Sequence, residues 1–365
     1  MAFMFGRRSG ALVGVDIGTA AIKAVEMSAA GPKYAVHRIG VGSTPVGAIK
    51  NGVPTDVEVL GGAIREVLSA AGIRGGGRVV SGLAGEAVIV RELKLPEMAT
   101  ATLSQAVQFE AGRFLPYAVR DAVVDYDVIE EVREEGQKKL ELLMVATRRE
   151  TVDRLLSALH RGGVEPEVFD VKPFAVMRAL GGNAGTDGAV QVFAHIGAET
   201  TDILIMDGRY LRLTRSVGFG GNEMTRAVAA GMGLEFAAAE TLKRAKAAVL
   251  LEGEPRPEDA SVESVYQAIF PVISDLAREV RRSIDYFQTR WRERRIERVL
   301  LSGAPAGIKN LAQFLTLELG VPAVIGDPFA KCEVPESVLS AAQRRELGPS
   351  LAAAVGLAMR GAEEQ

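Results

Sequence analysis

The chain has 365 residues, of which 48% are hydrophobic and 24% charged, and it carries a formal net charge of −3 at pH 7. This composition is typical of a globular protein with a real core, and the length predicts two or three domains. The slightly negative charge gives no general attraction to nucleic acid or anionic lipid, so we expect no nucleic-acid partner.

The amino terminus carries three large apolar residues from Phe3 onward and then Arg7 and Arg8. This stretch lacks the apolar core of a signal peptide. Nor does any window approach the roughly 20 apolar residues that a membrane span requires. We expect a terminus without fixed structure, and a weak surface anchor over residues 3–8 is the alternative.

A strand–turn–strand pattern occurs twice, about half a chain apart. In residues 11–27, apolar runs flank the turn Asp16-Ile17-Gly18-Thr19, and in residues 190–206 they flank His195-Ile196-Gly197-Ala198. Apolar, β-rich runs around a glycine-centred turn predict hairpins. The duplication suggests two similar lobes that face a shared cleft.

A block between the two copies has a pattern of its own. Its apolar spacing, prolines and glycines predict a strand, a helix, two strands and a second helix. These elements are expected at Glu86–Leu95, Ala101–Leu115, Ala122–Val132, Leu140–Thr147 and Arg149–Arg161. The block reads as a small α+β module inserted into the first lobe.

The second half of the chain continues with helices. Asn222–Ala247 is expected to be largely helical, and a long helix follows whose apolar line runs from Ile269 to Trp291. Its many arginines alternate with acidic residues, which favours a solvated, ion-paired face over a nucleic-acid patch. An apolar strand at Arg298–Leu301 then leads to a small-residue turn, and the small-residue helix Leu351–Met359 ends the pattern. The single cysteine, Cys332, excludes an intrachain disulfide, has no obvious base beside it, and is expected to be structural.

Three loops are candidates for binding phosphate or nucleoside. Gly18 and Gly197 allow close approach of a phosphate to successive backbone N–H groups, and the turn Ser302-Gly303-Ala304-Pro305 offers a surface for a flat ring. An ordinary hairpin with a well-placed glycine is the alternative for each loop alone. The candidates are Asp16, Gly18, Thr19, Ala20 and Lys23 in the first loop, Gly197, Ala198, Glu199, Thr200 and Thr201 in the second, and Gly303 and Ala304 in the third.

The order of these loops resembles that of the actin, heat-shock chaperone and sugar-kinase superfamily. Within it, the chain from Leu12 to Gly361 is most similar to the PilM family, which is related to FtsA. The segments that carry this resemblance are Gly14–Gly18, Val107–Pro116, Asp170–Ala175 and Ile196–Thr201. The connecting segments of the superfamily match Asp170–Ala175 and Ala352–Ala358.

The resemblance implies an α/β, actin-like (ribonuclease H-like) two-lobed fold with an inserted strand–helix–strand–strand module. Residues 10–85, 168–188 and 340–362 would form the first lobe, 86–167 the module, 189–221 and 276–339 the second lobe, and 222–275 a small helical subdomain.

The resemblance also implies ATP in the cleft and a cytoplasmic protein held at the inner membrane by its partner. That partner would be the N-terminal tail of PilN, in a groove between the first lobe and the module. We expect Phe109, Arg113, Phe114, Leu115 and Tyr117, on a helix spanning Leu103–Tyr117, to form it; core packing of these residues is the alternative. Motor ATPases, a platform protein and a homo-oligomer or ring are further partners by resemblance.

Several residues depart from the superfamily pattern. His195 stands where relatives have a magnesium-binding aspartate, which leaves Asp16 and Asp202 as candidates to hold Mg²⁺ through water. Lys172, beside Asp170, stands where some relatives have a catalytic glutamate, so ATP hydrolysis is expected to be slow or absent; a Lys172–Asp170 pair is the alternative. Pro305 removes a backbone donor from the adenosine loop.

Glu240 and Lys243 match positions that flank the nucleoside in relatives, although a solvated ion pair would give the same spacing. Two other functions share the fold. An FtsA-like division protein would usually end in an amphipathic membrane-binding helix, whereas this chain ends in an acidic tail. A small-molecule kinase would need a catalytic carboxylate where Lys172 stands.

Overall fold

The computed structural model describes residues 10–134, 136–181 and 189–363. The expectation for residues 3–8 lies outside these ranges. The first elements are β1 (Leu12–Ile17), β2 (Ala21–Ala30), β3 (Lys33–Ser43), β4 (Ile49–Lys50), β5 (Val53–Pro54), α1 (Val57–Ala70) and β6 (Arg78–Leu83). The inserted block follows as β7 (Val88–Pro96), α2 (Thr100–Phe114), β8 (Ala122–Glu134), β9 (Gln137–Arg148) and α3 (Arg149–Arg161).

The remaining elements complete the first lobe and build the second. They are β10 (Pro166–Val171), α4 (Lys172–Ala179), β11 (Val190–Ile196), β12 (Thr201–Asp207), β13 (Tyr210–Val217), α5 (Gly221–Met232), α6 (Phe236–Lys246), α7 (Ala260–Arg290), β14 (Ile296–Ser302), α8 (Leu311–Leu319), β15 (Ala323–Ile325), β16 (Cys332–Glu333) and α9 (Ala341–Glu363).

The two predicted hairpins each lie in the middle of a sheet. The first sheet has the order β10-β6-β1-β2-β3-β16, and the second has the order β13-β12-β11-β14-β15. In both, the first strand of the hairpin runs antiparallel to its partner and parallel to a later strand, β6 for β1 and β14 for β11. The duplication predicted from the sequence is therefore confirmed as two lobes of matching topology.

Strand β1 is buried along its whole length because helices cover both faces of its sheet. Val13 packs on one face into the cluster shared with α1 and α3, and Leu12 packs on the other face against α9. Gly14 allows α9 to come this close, since a Cβ at Gly14 would overlap the backbone at Ala354. The small-residue run of α9 is thus a packing surface for the sheet.

The inserted module is a three-stranded antiparallel sheet of order β7-β9-β8 with α2 against it. Leu103, Val107 and Ala111, four residues apart, form the buried stripe of α2. The prediction that this helix extends to Tyr117 is wrong. It ends at Phe114 because Leu115 precedes a proline and takes an extended conformation, with φ −78° and ψ 132°.

Helix α7 supplies the core of the second lobe. The predicted apolar line is confirmed, with Ile269, Ile273 and Phe287 among its buried residues, while Trp291 lies just beyond the last turn. Each such buried side chain contributes about 1.5–3 kcal/mol of transfer free energy. On its solvated face, Arg278 and Arg282 pair with Asp275 and Glu279 one turn earlier. Within the described part of the chain, no helix has the length and apolarity needed to cross a bilayer.

Candidate functional site

A cavity between the two lobes collects most of the residues singled out from the sequence. The cavity wall includes the loop after β1, the loop after β11 and the loop after β14, together with Lys172, Asp202, Glu240 and Lys243. Two candidates do not line it. Thr201 is buried and donates its hydroxyl to the Phe219 carbonyl, and Asp170 lies outside the wall.

The first two loops are closed in the same way. The Gly18 N–H donates to the Ala21 carbonyl at 3.0 Å, and the Gly197 N–H donates to the Thr200 carbonyl at 2.8 Å. A Cβ on either glycine would lie within 2.9 Å of that carbonyl oxygen. Glycine is therefore required by close backbone approach in both turns, and the same backbone surface faces the cavity from each lobe.

Two lysines meet at Asp16 on the floor of the cavity. The Lys172 ammonium lies 2.9 Å from Asp16 Oδ1, and the Lys23 ammonium lies 3.1 Å from Oδ2. Burial alone would raise the pKa of Asp16, but the two lysines hold it well below its usual value. The carboxylate is therefore ionised, with an ammonium group on each oxygen.

The alternative pairing of Lys172 with Asp170 is wrong. The Asp170 carboxylate instead accepts from Arg178 at 2.8 Å, and both side chains are largely buried. Lys172 begins α4, so its side chain reaches back over the end of β1, where it also donates to the Ile17 carbonyl. The two residues are close in sequence but point to different parts of the first lobe.

His195 and Asp202 face each other across the β11–β12 hairpin. Burial, with the positive charge of Lys23, lowers the pKa of His195 to about 4, and its Nδ1 contacts the Ser302 hydroxyl at 2.9 Å. Burial raises the pKa of Asp202 to about 6, although Ser216 donates a hydrogen bond to it. His195 is thus a neutral side chain at pH 7.

Glu86 is a cavity residue that the sequence analysis missed. It follows β6, and burial, with Asp202 and Glu199 nearby, raises its pKa. The available signal was topological, because β6 runs parallel to β1 and parallel neighbours deliver their following residues to the same edge of a sheet. Asn222, Arg244 and Ser350 also line the cavity and were not predicted.

Lys243 and Glu240 form an ion pair at 2.7 Å that is not solvated. Lys243 is buried and also donates to the Gly221 carbonyl at 2.8 Å and to the Thr225 hydroxyl at 2.7 Å. Burial opposes ionisation of Glu240, yet hydrogen bonds from Lys243, Thr225 and Arg244 lower its pKa to about 2. The pair ties α5 to α6 at the wall of the cavity.

The third loop depends on one left-handed glycine. Gly303 has φ +88°, and a Cβ there would overlap the Ile196 carbonyl at the end of β11. The chain then forms a short 3₁₀ turn over Ala304–Gly307, in which Pro305 lies against Gly221. Ala304 and Pro305 are thus accommodated, and both line the cavity.

The residues present do not fit a magnesium ion. Both oxygens of Asp16 are occupied by ammonium groups, and Asp202 is covered by Ser216 and by the backbone of Gly85 from the other lobe. Over residues 10–134, 136–181 and 189–363, no three His, Cys, Asp or Glu side chains cluster as a metal site requires. The two predicted ligands therefore offer no free pair of carboxylate oxygens.

The residues expected to form a partner groove separate into two groups. Phe109 and Phe114 are 74% and 44% exposed on the outer face of α2. Leu115 packs into the module core, Tyr117 lies under the Arg148 guanidinium at 4.1 Å, and Arg113 pairs with a neighbouring glutamate.

The depression between the first lobe and the module is lined instead by Val57, Asp121 and the polar residues that begin α3. None of the five predicted groove residues lines it. Tyr117 reaches its border through Arg148, which is part of the wall.

The molecule has two lobes of matching topology, with helices α4 and α9 packed together at their crossing. A glycine turn from each lobe faces the cavity between them. These features define an actin-like ATPase fold. Solved structures agree with this class. The ethanolamine utilization protein EutJ from Carboxydothermus hydrogenoformans is 17% identical, with coverage of 96% of this chain and 89% of that chain and a TM-score of 0.53. MreB5 of Spiroplasma citri bound to AMPPNP is 11% identical, with 98% of each chain covered and a TM-score of 0.53.

A closer relationship is found with pilus proteins. Residues 14–362 match the sequence model of the type IV pilus assembly protein PilM. The structure of a PilM–PilN type IV pilus biogenesis complex is 30% identical, with 96% of this chain and 98% of that chain covered and a TM-score of 0.84. The chain belongs to the PilM family of type IV pilus assembly proteins. An FtsA-like division protein and a small-molecule kinase are not favoured.

Proposed function

We propose that the protein is an actin-like scaffold of type IV pilus assembly that binds ATP between its lobes and the N-terminal tail of PilN on its surface. The observation that carries this proposal is the full-length similarity to the PilM–PilN complex, at a TM-score of 0.84. Attached through PilN, the protein would act on the cytoplasmic side of the inner membrane. Motor ATPases, a platform protein and further copies of this chain would be its other contacts.

The nucleotide part of the proposal is supported by the cavity. A polyphosphate between the Gly18 and Gly197 turns would meet backbone N–H groups from both lobes, and Lys23 and Lys172 supply positive charge at the same place. Related actin-like proteins bind nucleotides, as MreB5 of Spiroplasma citri does with ADP and AMPPNP. Ala304 and Pro305 offer an apolar surface for the base.

Slow or absent hydrolysis follows from the same geometry. A charged ammonium cannot accept a proton from an attacking water, and Lys172 is held on Asp16 by an ion pair. The Asp16 carboxylate is in turn a weak base, because its pKa lies well below the usual value. We therefore propose that ATP acts as a bound ligand that sets the arrangement of the lobes.

The partner part of the proposal concerns α2. Phe109 and Phe114 contribute nothing to the module core, because the buried stripe consists of Leu103, Val107 and Ala111. Exposed aromatic side chains on a helix are common anchors for an extended peptide. They lie on the module that the family inserts in the first lobe.

Calorimetric titration tests the proposal. A peptide copied from the N-terminal tail of PilN of the same organism should bind the full chain with micromolar or better affinity. The double variant Phe109→Ser/Phe114→Ser should weaken binding at least tenfold, whereas Leu317→Ser, which replaces a 69% exposed residue of the other lobe, should leave it unchanged. If the peptide fails to bind the unaltered chain, the pilus-scaffold assignment of the surface is wrong.

A further inference from the structure

We propose that the ammonium groups of Lys23 and Lys172 take the place of a divalent cation in the cleft, so that the protein binds a nucleoside polyphosphate without Mg²⁺. This inference rests on the proposed nucleotide binding and specifies the form in which the nucleotide is bound. Three features of the cleft support it: the contacts of Asp16, the cover over Asp202 and the charge of the cavity floor.

Asp16 is held from two directions. Lys23 reaches it from β2, the neighbouring strand, and Lys172 from the first turn of α4, at 3.1 and 2.9 Å from the two carboxylate oxygens. Both lysine side chains are largely buried, at 15% and 12% exposed. A hydrated Mg²⁺ on Asp16 would have to displace both ammonium groups, or lie beside them against strong like-charge repulsion.

Asp202 has one of its two carboxylate oxygens engaged. Its Oδ1 accepts a hydrogen bond from Ser216, and a Cβ on Gly85 would overlap that same oxygen. Gly85 belongs to the first lobe, so the two lobes close over this oxygen and leave no space on that side for the water shell that Mg²⁺ usually keeps. His195, which is paired with Asp202 across strands β11 and β12, is neutral and is a poor ligand for this ion.

The cavity floor already carries the positive charge that a bound cation would supply. One carboxylate, Asp16, faces two ammonium groups, which leaves a surplus positive charge beside the Gly18 turn. Lys23 Nζ lies 4.0 Å from the position of a Cβ on Gly18. Each ammonium has three N–H donors; Asp16 takes one from each and the Ile17 carbonyl takes a second from Lys172, so two donors of Lys23 and one of Lys172 remain for phosphate oxygens.

The same charge acts on His195, whose pKa is lowered first by burial and next by Lys23. On the rest of the cavity wall, Glu240 is paired with both Lys243 and Arg244, at 2.7 and 2.6 Å. Glu86, Glu199 and Asp202 bring acidic groups to the same cavity, and the charge of Lys172 acts against the rise in the pKa of Glu86 and Asp202. The positive charge of Lys23 and Lys172 lies beside the Gly18 turn.

The test compares ATP affinity of the full chain in excess EDTA and in excess Mg²⁺ by calorimetric titration. We expect the dissociation constant in EDTA to be equal to or smaller than that in Mg²⁺, since free ATP carries more negative charge than its magnesium complex. This comparison needs no variant. A tenfold or greater requirement for Mg²⁺ would overturn the inference while leaving nucleotide binding, and hence the proposed function, intact.

Two variants locate the effect. Lys172→Met should weaken ATP binding in EDTA at least tenfold and recover part of it in Mg²⁺, because one oxygen of Asp16 becomes free for the ion. Lys172→Arg keeps the charge, so its ATP affinity should remain the same in EDTA and in Mg²⁺. Lys33→Met, at the exposed start of β3, should match the unaltered chain. Equal loss in both buffers for Lys172→Met would contradict the cation role. Failure of the unaltered chain to bind ATP in either buffer would defeat both this inference and the nucleotide part of the proposed function.

Discussion

Gly356 of α9 lies directly against Ala175 of α4, so close that a Cβ on the glycine would overlap the Ala175 carbonyl oxygen. Arg178 of α4 also donates to the Gly356 carbonyl at 3.2 Å. These helices carry the two connecting segments, so the contact lies at the crossing between the lobes. Backbone contact of this kind leaves no room for relaxation, because neither partner is a flexible side chain.

Gly356→Ala should therefore destabilise the protein by about 1–3 kcal/mol through overpacking. Gly348→Ala in the same helix is the matched control, since the nearest atom to a Cβ there is the Arg344 side chain at 4.0 Å. That control should be neutral or stabilising by up to about 1 kcal/mol, because alanine favours a helix. Urea unfolding measures both. Similar stability changes in the two variants would show that the crossing is not tight.

Lys243→Met should cost about 3 kcal/mol of unfolding free energy, because removing a buried partner leaves Glu240 and the Gly221 carbonyl with unmet polar groups. Arg244→Met removes the other cation on the same glutamate, but Arg244 is 72% exposed. That change should cost less than about 1 kcal/mol, as for exposed ion pairs generally. Thermal and urea unfolding measure both variants. A larger loss of unfolding free energy in Arg244→Met than in Lys243→Met would contradict the buried role of Lys243.

The free energy of unfolding of Asp202→Asn, measured relative to the unaltered chain, should increase as pH rises. Burial raises the pKa of Asp202 to about 6 in the folded state from 3.8, so its protonated form is favoured by folding. The stability that the aspartate contributes is full below pH 3.8 and is lost as pH rises through 6. Relative to the variant, the unaltered chain should lose about 3 kcal/mol between pH 4 and pH 7.

The measurement for Asp202 is urea unfolding at several pH values. Asparagine still accepts the hydrogen bond from Ser216, so the comparison isolates the charge. Asp285→Asn, at an exposed position of α7, is the control and should show no such trend. If the stability difference between Asp202→Asn and the unaltered chain did not change with pH, the Asp202 carboxyl would not titrate with a raised pKa in this range.

Cys332 should react slowly with maleimides in the folded protein. Burial raises the pKa of its thiol from 9.0 to about 12, so at pH 8 the thiolate fraction falls about 10³-fold. Labelling should become fast in urea. A Ser69→Cys change in a Cys332→Ser background places a thiol at an exposed position of α1 and should label rapidly without denaturant. Equal rates for the two folded proteins would contradict the effect of burial.

Local sequence signals predicted the fold well. The bounds Arg149–Arg161 of α3 agree with the structure because Gly162 and Gly163 end the helix. Both hairpins could be predicted because an apolar run and a glycine turn are encoded within a few residues. The predicted element Ala101–Leu115 agrees with α2 to within one residue because Pro116 stops the helix, whereas the longer span to Tyr117 expected for the partner groove ran across that proline.

Contacts between distant segments could not be predicted in this way. Lys172 and Asp16 are 156 positions apart, and only the course of the chain brings them together. Pairing with the nearer Asp170 was the alternative given by the sequence, but the direction in which α4 leaves the sheet turns the two side chains apart. The cover that Gly85 provides over Asp202 is likewise a property of how the lobes close.

The two hairpins share a backbone plan but carry their acidic residue on different strands, the first strand in one and the second strand in the other. Asp16 faces Lys23 across the first, and at the matching rung of the second His195 faces Asp202. A cleft made from two identical hairpins would be symmetric. The different placement of charged residues on the two hairpins makes this cleft asymmetric. A ligand that is negative at one end would therefore have a single direction in which to lie, with that end towards Lys23 and Lys172.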